Sequence, residues 1–267
     1  MRMLELGIVS DEIDPDFAVA LRHGTSWGVR KYEIRVLRSG RVPQVDPKEW
    51  EEVVAEARSG RCEITALSPG IFKQTLSRRD ELDAELLDTL PRTIELARQC
   101  GARLVIAFGF HREASEPADH FRLAVQYMRE AASLASKAGM RIAIENEPGF
   151  WCDTGRNTAH LIREVSSPAL GANWDPCNAF GTVEVPFPDG YEALKGAIIN
   201  VHAKDTLAGS LIKCVPIGEG AIDWKGQMAA LLRDSILQHV TIETHCHPLV
   251  ENSERNVKIL RRYMQEA

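Results

Sequence analysis

The chain has 267 residues, close to the roughly 250 of a single (β/α)₈ barrel. With 44% hydrophobic and 26% charged residues it can bury a full core without disulfides or a structural zinc. A formal net charge of −6 disfavours a nucleic-acid partner, and no apolar run approaches the roughly 18 residues that span a membrane.

Residues 1–10 carry Glu5 and lead straight into Asp11 and Glu12, unlike a secretory signal. They contain the first predicted strand, residues 4–10. Asp14-Pro15 then offers an N-cap and a proline for the first helix, a device that Asp46-Pro47 repeats before the second. Between them lies a strand at 30–36. Helix 49–58 sets Trp50, Val53, Val54 and Ala57 on one apolar stripe. A strand at 62–68 is followed by helix 83–99, which Gly101 ends. A strand at 103–108 is followed by helix 120–137, which Gly139 ends. Four more apolar runs follow, at 141–146, 170–175, 198–204 and 239–244. Residues 176–190, with three prolines, and 206–220 are predicted as long loops. The last helix, 253–265, packs Val257, Leu260 and Met264.

Eight strand-then-helix units without a linker predict an α/β fold, one (β/α)₈ TIM barrel over residues 1–267. An open dinucleotide-binding sheet is disfavoured, because no G-x-G-x-x-G follows the first strand. The six cysteines are scattered without a C-x-x-C pair and read as reduced thiols of a cytoplasmic protein.

In such barrels the active site is built at the C-terminal ends of the strands. Strand five ends in Glu145-Asn146-Glu147, strand six in Asn173-Trp174-Asp175, strand seven in His202-Ala203-Lys204-Asp205, and strand eight in Glu243-Thr244-His245. Glu145, Asp175, His202 and Glu243 thus meet on one rim. Three converging carboxylates repel one another, and a divalent cation relieves that repulsion with the imidazole as fourth ligand. The oxygen-rich set suits Mn²⁺ or Mg²⁺, and its nitrogen equally admits Zn²⁺ or Co²⁺. As strand-to-loop residues, Asp175-Pro176 and Glu145-Asn146 also fit simple caps, but four strand ends in succession outweigh that reading.

These motifs resemble the xylose isomerase-like TIM barrels, a superfamily of sugar and sugar-phosphate isomerases and epimerases that also contains endonuclease IV. The resemblance spans nearly the whole chain. It is carried by Ile142-Ala143-Ile144-Glu145-Asn146, Trp174-Asp175-Pro176, Val201-His202-Ala203-Lys204-Asp205 and Ile242-Glu243. Tyr32-Glu33-Ile34-Arg35 and the turn Ile217-Gly218-Glu219-Gly220-Ala221-Ile222-Asp223-Trp224 add to it. It implies that Glu145, Asp175, His202 and Glu243 are the metal ligands. It also implies that Glu145 and Glu243 flank a ketose and move its proton through an enediolate.

Two departures stand out. Asn178 replaces a histidine that epimerases of the group often carry; it can bond a sugar hydroxyl but cannot exchange a proton. Lys204 either orients a substrate carboxylate or phosphate, or pairs with Asp205. His111, His245 and His247 match too little of the three-metal set of endonuclease IV to place three ions.

The candidate substrate contacts are Asn178, Lys204, His111, Glu33 and Trp151. Glu33 alternatively forms a buried ion pair with Arg35, and Trp151, with Phe150, alternatively covers the barrel top. His245 and His247 read as a solvated loop or as a second metal site. The expected function is a metal-dependent sugar isomerase or epimerase acting on a small ketose, polyol or keto compound. The alternatives are a dehydratase of the inosose or dehydroshikimate type, an endonuclease IV-like phosphodiesterase, and an inactive carbohydrate-binding barrel. The expected partner is a small carbohydrate, with no nucleic acid and no membrane; a homo-oligomer is left open.

Overall fold

Eight runs rich in β-branched and aliphatic residues form the staves of a barrel: β1 (Glu5–Val9), β2 (Lys31–Ile34), β3 (Glu63–Leu67), β4 (Leu104–Phe108), β5 (Arg141–Glu145), β6 (Leu170–Trp174), β7 (Ile198–Ala203) and β8 (His239–Ile242). Each pairs in parallel with its neighbours in sequence, and β8 closes on β1. This computed structural model describes residues 4–209 and 213–267. Residues 1–3 of the N-terminal segment and 210–212 of the loop after β7 lie outside the described residues.

The helices of the outer ring are α1 (Phe17–Ser26), α2 (Pro47–Arg58), α3 (Leu90–Cys100), α4 (His120–Lys137), α5 (Gly155–Val165), the short α6 (Tyr191–Leu194), α7 (Trp224–Asp234) and α8 (Leu249–Glu266). Among the described residues no helix is long and apolar enough to cross a membrane. All six cysteines are free. Asp46 caps α2 as expected, accepting from the amides of Lys48 and Glu49.

Three helix starts differ from expectation. Residues Ser10–Glu12 form a tight turn after β1, so α1 begins later and its cap is Asp16; Asp14 instead accepts from the Asp16 amide. Helix α3 continues a helical run from Arg79 through a wide turn at Glu85–Thr89. That turn precedes Pro91, which lacks the amide an ordinary helical turn would use. Helix α8 starts at Leu249, directly after Pro248, rather than at 253. The predicted loop 176–190 holds a four-residue helical turn, Pro176–Ala179, and the loop after β7 holds a two-stranded hairpin pairing Asp205–Thr206 with Cys214–Val215.

Most buried apolar side chains lie between strands and helices. Inside the barrel a small apolar layer is made by Ala66, Ile106 and Ala143, with Leu104 and Ile199 beside it. Pairing between β6 and β7 shifts register by one residue, Ala172 facing Ile198 and Asn173 facing Asn200. This bulge lets β7 place Ile199 in the apolar layer and both Asn200 and His202 above it.

At the opposite end, His239 opens β8. Its pKa is pushed down to about 4, by burial first and by the charge of Lys31 second. A histidine kept neutral in the fold but protonated when unfolded lowers stability as pH falls from about 6.5 towards about 4. Wild type is therefore expected to lose about 2 kcal/mol more than His239→Gln between pH 7 and pH 5. Urea denaturation of both proteins at each pH measures this; equal losses would refute it.

Candidate metal centre and active site

Glu145 ends β5, Asp175 follows β6, His202 lies near the end of β7 and Glu243 follows β8. One ligand atom from each lies within 4.8 Å of the others, and all four residues are buried. His202 presents Nδ1, 3.5 Å from Glu145 Oε2 and 3.6 Å from Glu243 Oε2. That buried nitrogen has no hydrogen-bond partner.

Asp175 acts both as a cap and as a site residue. Its Oδ1 accepts from the amides of Cys177 and Asn178 and starts the helical turn, while Oδ2 faces Lys204 Nζ at 2.8 Å. The Asn146 side chain fixes the Asp175 backbone, donating to its carbonyl and accepting from its amide, each at 2.8 Å. One unpartnered imidazole nitrogen among three buried carboxylates, with Asp175 Oδ2 already drawing the Lys204 cation, fits a single divalent ion. All four residues would hold it.

The two glutamates have different surroundings. Glu243 is held by cations: Arg35 Nη1 at 2.7 Å from Oε1 and Lys204 Nζ at 2.8 Å from Oε2. Glu145 is held by amides, Asn178 Nδ2 at 3.1 Å and Asn173 Nδ2 at 3.3 Å. Burial raises the pKa of both. For Glu243 the charges of Lys204, His245 and His202 reverse this and hold it well below the carboxylate range; for Glu145 the charge of His202 leads a smaller set that lowers it. Asp175 stays raised by burial despite Lys204.

Each of the other singled-out residues has a defined place. Asn178 and Lys204 are brought to the site. Lys204 bridges Asp175 and Glu243 and does not pair with Asp205, whose carboxylate accepts from the amides of Thr206, Gly218, Gly220 and Ile222. Asp205 thereby folds the glycine-rich turn; a Cβ on Gly220 would meet its Oδ1 at 2.1 Å. Trp224, at the end of that turn, donates to the Lys204 carbonyl.

Glu33 does not pair with Arg35. It lies inside the barrel against His202 Nε2 at 2.9 Å, while Arg35 bonds Asp11, Glu12 and Glu243. His111 is exposed after β4, its backbone bridging Thr75 and Phe150, and it belongs to neither converging group. Trp151 is buried between Phe121 and Arg112, with its indole nitrogen donating to Glu116. Glu147 pairs with Lys73, which lies over the Phe108 ring. Among the described residues a second close group is Glu12, Glu243 and His245, but Arg35 already supplies its cation. His247 is exposed. Asp11, Glu12, Asn173 and Asn200 carry no site role on the residues alone, and Asn146 only that of a strand-end cap within the strand-five motif.

A family profile described as xylose isomerase-like TIM barrel matches residues 22–267. The chain belongs to this family. A search of curated protein sequences gave no match. Among solved structures, the probable 3-DHS dehydratase AsbF of petrobactin synthesis from Bacillus anthracis superposes with a TM-score of 0.81 at 17% identity, covering 97% of this chain and 99% of that one. The IolI protein with a bound zinc atom gives 0.77 at 17% identity, covering 98% and 97%. The D-allulose 3-epimerase of Methylomonas sp., in complex with D-allulose, gives 0.76 at 14% identity, covering 98% of each chain. At these identities the likeness shows the fold.

Proposed function

We propose that the chain is a divalent-metal-dependent isomerase or epimerase acting on a small sugar, ketose or polyol-derived keto compound. The observation that carries this reading is the convergence of Glu145, Asp175, His202 and Glu243 within 4.8 Å at the C-terminal mouth of the barrel. A zinc-bound protein and a sugar 3-epimerase of the same fold support it. When bound, the ion supplies Lewis acidity to a carbonyl and its neighbouring hydroxyl.

The chain's own part is to orient the substrate and move a proton at the carbon beside that carbonyl. Glu145 and Glu243 are the paired acid and base, with Asn178 positioned to bond a substrate hydroxyl. Glu145, held by neutral amides, is the better proton acceptor of the two. Ketoses incubated in D₂O with Mn²⁺, Co²⁺, Zn²⁺ or Mg²⁺ should gain deuterium at that carbon. Glu145→Gln and Glu243→Gln should each slow the exchange by about 10²-fold or more. Unchanged exchange in both variants would rule out the two-glutamate mechanism.

One observation favours a dehydratase as the second reading. Glu243 is tied to both Arg35 and Lys204, which leaves Glu145 as a single free base, and one base suffices to expel a β-hydroxyl. Net loss of water from the product distinguishes the two readings.

A further inference from the structure

We infer that Glu33 is a positioning residue that fixes the ring of His202 and aims Nδ1 at the cation site; this rests on the metal-site reading above. Glu33 is 1% exposed, and its Oε2 lies 2.9 Å from His202 Nε2. A carboxylate can only accept, so Nε2 must carry the hydrogen of that bond. On the other side of the ring, Glu145 and Glu243 both draw a proton towards Nδ1. A proton held there would have to be displaced by any incoming ion. Once Nδ1 has given up its proton, the bond to Glu33 keeps the remaining ring proton on the far nitrogen and holds the ring so that Nδ1 faces the cation.

The effect extends to a second ligand. Asn200 Nδ2 approaches the same Glu33 oxygen at 3.5 Å and donates to Asn173 Oδ1 at 3.0 Å. With its oxygen so occupied, Asn173 must turn its Nδ2 to Glu145 Oε2, at 3.3 Å. A buried polar floor of Glu33, Asn200 and Asn173 therefore orients His202 on one strand and Glu145 on another. Glu33 itself lies outside the converging ligand set.

The test is competition of Mn²⁺, Co²⁺ and Zn²⁺ against a chelating indicator, with full-length wild type, Glu33→Gln, Glu33→Ala and His202→Ala. Affinity should fall by about 10- to 100-fold in Glu33→Ala. The fall should be smaller in Glu33→Gln, whose amide oxygen still accepts from Nε2. Beside this, ¹⁵N-histidine NMR of metal-free and zinc-loaded wild type should show the His202 proton on Nε2, exchanging faster in Glu33→Gln. Equal affinities in wild type and both Glu33 variants would overturn the inference while leaving the metal site standing. If wild type binds none of the ions, the metal reading fails, and the NMR still decides on Glu33: a bare Nε2 overturns the inference. If Glu33→Ala does not fold, Glu33→Gln and the wild-type spectrum carry the decision.

Discussion

His202→Ala is expected to lose the divalent ion that wild type binds, with a fall in affinity larger than the roughly 100-fold upper range for its supporting carboxylate. The substitution removes the one nitrogen ligand and leaves Glu33 buried without its partner. The pH dependence has a definite sign. Burial alone would lower the pKa of His202, but Glu33, Glu145 and Glu243 outweigh it and hold it well above the ordinary imidazole value. The ion must then displace a proton from Nδ1, so wild-type metal affinity should rise with pH through the neutral range and metal uptake should release protons. Elemental analysis of natively purified protein and calorimetry in two buffers of different ionisation enthalpy measure both effects. Retention of the ion by His202→Ala would sink the proposed ligand set.

Much of this was visible in the residues, for a physical reason. Parallel strands buried on both faces need near-continuous apolar runs, so the polar residues that end them stand out. All eight strands lie within two residues of their predicted bounds, and the four ligand candidates follow from the strand ends. The layer beneath was harder to see. Asn173 lies two residues before Asp175, and Asn200 two before His202; that inward period of two is a signal a strand-end reading passes over. The bulge that keeps Asn200 inward leaves no mark in composition. The contribution of β1 was hidden differently, since Asp11 and Glu12 sit in a tight turn and look like ordinary surface acids. The predicted strand 30–36 sets Arg35 beside Glu33, but the strand ends at Ile34: Glu33 turns into the barrel while the Arg35 guanidinium reaches the acids after β1 and β8. Pairings across the barrel are set by closure and cannot be read from spacing along one strand.

Arg35→Met should cost about 3–5 kcal/mol of stability in the metal-free protein, the loss expected when one partner of a buried charge network is removed. The Arg35 side chain is 16% exposed and bonds Asp11, Glu12 and Glu243 at 2.6–2.8 Å. Methionine fills similar volume but leaves those three carboxylates facing one another. Arg38→Met is the control. Its side chain is 54% exposed with Asp16 and Glu49 as partners, and a solvated pair of that kind is worth about 1 kcal/mol or less. The pH dependence separates lost charge pairing from lost packing. Burial raises the pKa of Glu12, but His245 and Arg35 outweigh it and hold it below the ordinary carboxylate value; cations hold Glu243 well below. Groups depressed in this way stabilise the fold above their unfolded pKa of about 4.3 and lose that contribution as pH falls through the folded value. Without Arg35 the depression shrinks, so the deficit of Arg35→Met should be largest near pH 7 and should narrow in acid as the carboxylates take up protons. Urea denaturation in a chelator at pH 7.5 and at about pH 3, below the unfolded carboxylate pKa, reads both effects. A deficit that matched Arg38→Met, or that stayed constant with pH, would mean that Arg35 contributes packing alone and that Glu243 keeps its charge by other means.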